Sequence, residues 1–458
     1  MTERNWLLRG ARERLPSRRT LDERLSRAEL AELVNAWLWE QTGRRFGLDV
    51  HLVAKWERGK VRYPTGPYRS ALRAILGVDT DAELGFIPPV RQQPSAAPDE
   101  RAWTRSGILD DATAAVEIDV LNRRNALWVT AIGGVALLGP LAQWLEPLAD
   151  GPLSGRSGAF AVAEVEAVEH LVATFQQWRS AECGFGRTAV VGQLADLSER
   201  LRGAPDGPLT DRAFLAAAEL AQIAGRMAFD AGAHRIAQQH HVTAVRMAKA
   251  GGNVLFGAVA LASLALQSFD LGATDDGLEL VHLAQRGTRD SATPGLRSRL
   301  AAREAWGHAQ HGSVHAFSRA VAVAEQAHVD IKPDKEPRWL RVYGAAELAG
   351  EIGARYRDLV LHDRRQIHHA VEYLGQALAL RDGWGRAMNS VSLGRVHLLA
   401  REPELSAVTV RSVLPLIDPH RPGRLGRKLA DWHREAAPFA AVPEVQDTRE
   451  QTRELVRV

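Results

Sequence analysis

One cysteine in 458 residues, Cys183, excludes an internal disulfide framework and leaves no cluster of thiolates for zinc. A lone thiol fits a reducing compartment, and a cytoplasmic protein is the expectation. No apolar run follows Met1-Thr2-Glu3-Arg4-Asn5-Trp6, so no secretory signal is read there. Also missing are the G-x-x-x-x-G-K-[ST] phosphate loop, the G-x-S-x-G nucleophile elbow and the H-E-x-x-H metal pair, so nothing argues for an enzyme or a cofactor. Beyond Phe160 no β-branched alternation is long enough for a strand, which leaves helix as the expected element. Lysine is scarce, six of 58 basic residues, and carries no functional inference.

What is present is the balance of a folded protein. Hydrophobic residues make up 45% and charged residues 25%, enough apolar material for a core throughout. At roughly 100–200 residues per domain, the length predicts two to four units. The net charge of +3 is too mild to name a partner, but its distribution is uneven. Through Gly77 there are sixteen Arg and Lys against nine Asp and Glu, a balance of +7, which leaves −4 for the remainder.

Local signals divide the chain. Residues 3–15 read as a short helix, and Ser26-Arg27-Ala28-Glu29 has the form of a capping box opening a second, with Leu30, Leu33, Val34, Trp37 and Leu38 at helical spacing. Asp49 is a candidate N-cap for a third helix that stops at Gly59. A fourth follows Pro67 and ends near Gly77, and a short fifth lies around Thr80 to Leu84. From Ile87 to about Asp110 the sequence turns to Pro88-Pro89 and Gln92-Gln93-Pro94-Ser95-Ala96-Ala97-Pro98, a composition that reads as a linker. Asn125 to Leu145 holds twenty-one residues without a charge, long enough to span a bilayer. Gly133-Gly134 and Gly139-Pro140 interrupt it, and a buried connector is the reading adopted, with a membrane tether as its alternative.

A repeat follows. Gly232, Ala237, Ala244 and Ala248 return in part as Gly272 with Ala284 and as Gly312 with Ala324, both at steps of 40 residues. Such a period means stacked helix pairs that bury their faces against neighbours, with the glycine at the turn inside each pair. A fourth copy without the glycine is read in Ala370 to Leu380, and Leu393-Gly394 is read as the start of a fifth. From about Pro443 the sequence is charged and poor in apolar groups, and a frayed tail is expected.

The segment Gly47-Leu48-Asp49-Val50-His51-Leu52-Val53-Ala54-Lys55-Trp56-Glu57-Arg58-Gly59 resembles the recognition helix of helix-turn-helix regulators of the xenobiotic-response-element type. Leu25-Ser26-x2-Glu29-Leu30-Ala31 matches the start of that family's second helix, and Trp56-Glu57-Arg58-Gly59-Lys60 with Pro64 matches its close. The second helix departs from the family by running on through Asn35-Ala36-Trp37-Leu38-Trp39-Glu40. Tyr68 to Gly77 with Glu83-Leu84-Gly85-Phe86 looks like the end of the head in actinobacterial regulators that join it to a tetratricopeptide-like body, and the spacing from Gly232 onward is similar to that body.

The resemblance implies transcriptional control through double-stranded DNA. Mapped residue by residue, Val50, His51, Ala54 and Lys55 face the bases, while Leu52, Val53 and Trp56 turn inward. Asp49 and Arg58, at the ends of the same helix, are counted as DNA-contact candidates with them, and Lys60, Arg62, Arg69 and Arg73 are candidates for phosphate contacts. Arg44 and Arg45 are either further phosphate contacts or a solvated loop.

The expected fold is therefore all-α: a helix-turn-helix domain over 1–87, a Pro-rich linker over 88–118, an apolar helical connector over 119–159, an α-solenoid of tetratricopeptide-like helix pairs over 160–442, and a charged tail over 443–458. The expected protein is a homodimeric regulator whose solenoid binds a peptide, small-molecule or protein effector. The alternative is an interaction scaffold without DNA binding, tethered to a membrane through 125–145. His308, His311 and His315 have ligand-like spacing, but Gly312 breaks their face and no metal site is read. His240-His241 and His368-His369 read as packing or groove residues on repeat helices, and Cys183 as a small core residue.

Overall fold

The computed structural model describes residues 5–17, 19, 20, 23–42, 46–59, 64, 66–78, 82–86, 103–125, 135–148, 158–177, 186–417 and 423–456. Those residues are helical with short turns and contain no strand. The chain divides into two compact units, residues 1–96 and 97–458, the head and the body.

Four helices build the head: α1 (Trp6–Glu13), α2 (Arg27–Thr42), α3 (Val50–Glu57) and α4 (Gly66–Leu76), followed by a 3-10 turn over Ala82–Leu84. Their apolar faces meet in a core of Leu8, Leu30, Val34, Val53, Trp56, Leu72 and Phe86. The Ser26 capping box forms as the spacing predicts, with Glu29 N donating to Ser26 Oγ at 3.2 Å and Ser26 N donating to Glu29 Oε2 at 2.9 Å. After α3 the chain turns at Gly59 with φ +70°, a left-handed conformation that favours glycine.

The body opens with α5 (Arg105–Asn125), α6 (Val135–Ala142), α7 (Val162–Gln177) and α8 (Gly186–Arg202). Helix pairs follow: α9 (Pro208–Asp230) with α10 (His234–Ala250), α11 (Val254–Asp270) with α12 (Thr274–Gly287), and α13 (Pro294–Gln310) with α14 (Val314–Val329). The series continues with α15 (Ala345–Val360) and α16 (Ile367–Leu380), then α17 (Gly383–Leu399) and α18 (Pro403–Arg411), and ends with α19 (Gly423–Glu435) and α20 (Pro443–Val456). First helices of successive pairs also touch one another, from α9 through α11, α13, α15 and α17 to α19.

The turns explain the 40-residue step. Gly232, Gly272 and Gly312 sit between the helices of the first three pairs with φ +80°, +79° and +67°, where a side chain would be strained. Ala237, Ala244 and Ala284 are fully buried, so small side chains are what let the paired helices approach. The fifth pair turns at Arg401, which holds φ +66° without being glycine, and it begins at Gly383 rather than at Leu393-Gly394, which lies inside α17.

Three segments differ from the sequence reading. The linker expected over 88–118 is helical from Arg105, and α5 docks with Ile108, Leu109 and Ala112 buried. Charge hid this helix: Arg105 bonds Asp211 Oδ1 at 2.5 Å, Asp111 meets the buried Arg246 at 2.9 Å, and Asp119 meets His240 at 3.0 Å. The tail expected from Pro443 is the helix α20, whose buried face is Val445, Thr448 and Thr452, two of them too polar to read as core. Finally, the described part of the uncharged stretch packs into the body: Leu137, Leu141 and Trp144 are buried, and the Trp144 carbonyl accepts from Lys249 Nζ at 2.6 Å. Residues 126–134 lie outside the described residues, and no described helix is long and apolar enough to cross a membrane.

Candidate nucleic-acid interface

The α3 helix begins because Asp49 caps it, its carboxylate accepting from Leu52 N at 2.7 Å. The carboxylate of this DNA-contact candidate is therefore committed to starting the helix. Placement of that cap depends on α2. Asn35 donates from Nδ2 to the Leu48 carbonyl at 2.8 Å and accepts from Leu48 N at 3.0 Å, so one amide pins both polar groups of the residue that leads into α3. Asn35 lies in the extension that sets this α2 apart, and its role was not read from the sequence.

The C-terminal end of α3 is held by charge. Glu57 is buried and accepts from Arg12 Nε on α1 and from Arg27 Nε on α2, each at 2.7 Å. Arg12 is buried as well and donates a second bond to the Leu25 carbonyl at 2.5 Å. The Glu57 carbonyl in turn accepts from Asn5 N at 2.9 Å. The Trp-Glu-Arg-Gly close thus has separate structural duties: Trp56 fills the core, Glu57 ties three helices together, and Gly59 permits the turn. These partners are 30 to 45 residues apart, and no local pattern announces them.

With both ends fixed, the outward face of α3 follows from its periodicity. Val50, His51, Lys55 and Arg58 are exposed and Ala54 is half-buried, while Val53 and Trp56 are buried and Leu52 is half-buried against the core. Arg58 folds back, donating from Nε to the Ala54 carbonyl at 3.0 Å. On α4, half-buried Arg69 donates to the Pro64 carbonyl at 2.9 Å, and half-buried Arg73 approaches Ser70 Oγ at 3.4 Å. Lys60, Arg62, Arg44 and Arg45 lie outside the described residues.

No family model, curated protein or solved structure matches the chain. Function is therefore argued from side chains alone. A rigid helix presenting an imidazole, an ammonium, a guanidinium and two small apolar groups on one face has the donors and methyl groups that base edges and phosphates take. It offers no paired acid and base, and the described residues contain no group of three or more His, Cys, Asp or Glu able to hold a metal ion. His308 closes α13 beside Glu304, His311 caps it and His315 belongs to α14, so the three do not share a face. His240 and His241 are buried on α10, whereas His368 lies exposed on α16. Cys183 lies outside the described residues.

Proposed function

We propose that the head is a helix-turn-helix DNA reader, with α2 lying across the backbone and α3 entering the major groove, and that the chain is a transcriptional regulator. The observation that carries this reading is the outward set Val50, His51, Lys55 and Arg58 on a helix anchored at both ends, in a segment whose charge balance is +7. Preorganisation matters because docking a helix whose orientation is already fixed costs little ordering entropy. Val50 and Ala54 offer methyl contacts to thymine, and Lys55 a donor to a guanine edge. Arg58, Lys60, Arg62, Arg69 and Arg73 supply charge for phosphates, which sets affinity and its salt dependence.

The stack of helix pairs is read as a tetratricopeptide-like solenoid that binds an effector, and the protein as a homodimer whose two heads take two half-sites. The test is a binding selection from random duplexes with purified protein. An enriched motif is expected. Lys55→Ala should relax preference at one base pair, whereas Arg62→Ala should weaken all sequences and make the salt slope shallower by about 0.9. Recovery of no motif at moderate salt would refute the reading.

A further inference from the structure

The first helices of the pairs line a cavity of about 300 Å³ in the body. Its walls come from α9, α11 and α13, and its cover from the connection between α14 and α15. That connection is fifteen residues long, 330–344, where α10 and α11 are joined by three. It accounts for the longer spacing at this point of the repeat, and it folds back across the first-helix side. Glu336 accepts from Gly295 N at 2.9 Å and from Thr293 Oγ1 at 2.6 Å at the start of α13. Arg338 reaches the buried Glu219 of α9 at 2.5 Å, and Trp339 stands edge-on to Phe256 of α11 with centroids 5.2 Å apart. The groove that a stack of helix pairs leaves open for an extended chain is thus occupied by the protein's own strap, and what remains has the size of a small molecule.

The chemistry inside is cationic and aromatic. Arg299 and Arg303 stand one turn apart on α13, and both line the cavity. Arg303 is 5% exposed and spends one nitrogen on Glu351 at 2.9 Å, but its enclosed Nε has no acceptor among the described residues. Arg299 makes no hydrogen bond or ion pair among them, its Nε is likewise enclosed without an acceptor, and the Tyr343 ring lies 5.9 Å from its guanidinium. Buried guanidinium donors without acceptors are strongly unfavourable, because arginine does not shed its charge and its five N–H groups match a carboxylate or phosphate in pairs. Glu219, a buried acid that also lines the cavity, is engaged by Arg338 and Gln176, and Glu351 meets Arg303 through a single nitrogen. Trp339, Phe256 and Leu266 belong to the apolar part of the wall.

We infer that this cavity is a ligand site for a small organic acid with an aromatic or similarly flat apolar body, its anionic group seated on Arg299 and Arg303 and its body against Trp339 and Phe256. The inference rests on the proposed effector role of the body and narrows it from peptide, small molecule or protein to a small anion. A neutral polar edge also belongs to the lining. Gln222 donates from Nε2 to Ser263 Oγ at 2.5 Å, which turns its carbonyl toward His241 Nδ1 at 3.1 Å and assigns the proton to that nitrogen. This chain of bonds positions the wall without adding charge to it.

The test is calorimetric titration of the full-length chain, without DNA, with phenylacetate and indole-3-acetate against their neutral amides. One acid should bind at one per chain, with its amide at least about tenfold weaker, and Arg299→Gln should weaken the acid about 10- to 100-fold. Arg226→Gln supplies a second variant at an exposed position of the rim and should weaken the acid several-fold. Absence of binding by either acid at millimolar concentration, equal binding of acid and amide, or wild-type affinity in both variants would overturn the inference. Because no DNA is present, a head that fails to bind DNA leaves these outcomes unchanged, and a failed titration leaves the DNA reading standing.

Discussion

Glu57→Ala is the substitution whose consequence the head's structure defines best. Glu57 side-chain exposure is 2% and that of Arg12 is 8%, so removing the carboxylate leaves a buried guanidinium with the Leu25 carbonyl and a longer, 3.2 Å bond to the more exposed Glu13. Loss of one partner from a buried pair costs about 3–5 kcal/mol. A unit of this size has a total stability of roughly 5–15 kcal/mol, so the loss consumes a large share of it. Arg27 is 40% exposed, and removing it deletes a solvent-screened contact of about 0–1 kcal/mol. The expected order is Glu57→Ala close to Arg12→Ala, with both far above Arg27→Ala. Hydrogen exchange of amides in α3, measured in the full-length chain, reads this directly. Protection should fall by about two to four powers of ten in the first two variants and by less than tenfold in the third. Equal damage from Arg27→Ala and Glu57→Ala, or tenfold or smaller loss in Glu57→Ala, would refute the assignment of the buried pair as the anchor of α3.

Two further outcomes concern the body. Burial, aided by the charge of His240 and Arg226, pushes His241 down to about 3, so the folded state resists its protonation while the unfolded chain accepts a proton near 6.5. Its contribution is complete above pH 6.5 and is lost as pH falls toward 3, about 2 kcal/mol between pH 7 and pH 5. Urea unfolding of His241→Gln should show that much less pH dependence than wild type, and parallel curves would contradict it. A Cβ at Gly257 or Gly287 would overlap the Trp144 ring. Gly287→Ala should therefore cost about 1–3 kcal/mol. Combined with Trp144→Ala it should add almost nothing, since the obstacle is gone, and simple additivity in a double-mutant cycle would show that Trp144 does not dock there.

Legibility varied with the range of the interaction. The Ser26 to Glu29 capping box and the Asp49 cap are contacts over three residues, and both could be read directly. Gly232, Gly272 and Gly312 were legible because a left-handed turn demands one residue type. Arg401 takes the same conformation without it, which is why the later pairs were harder to phase. Helix α5 escaped because its inner face carries Asp119, which is paired with His240 far along the chain, and helix α20 because its inner face carries Thr448 and Thr452, whose hydroxyls donate to carbonyls one turn back in the same helix. The exposed and buried faces of α3 followed from helical spacing, but Asn35 and the Arg12 to Glu57 pair that aim the helix were invisible, as was the strap over 330–344 that narrows the body's groove. For α5, for the aim of α3 and for the strap, the missing information is a contact between residues far apart in sequence.

The central claim is that the outward face of α3 lies against base pairs. Photo-crosslinking addresses it with a benzophenone amino acid placed singly at His51, at Lys55 and, as a surface control on α1, at Trp6, each exposed and outside the core. With a duplex recovered from the selection, the probes at 51 and 55 should join to bases within the enriched motif, and the probe at 6 should not. Crosslinks from position 6 with none from 51 or 55, or no crosslink to DNA from any of the three, would contradict the account.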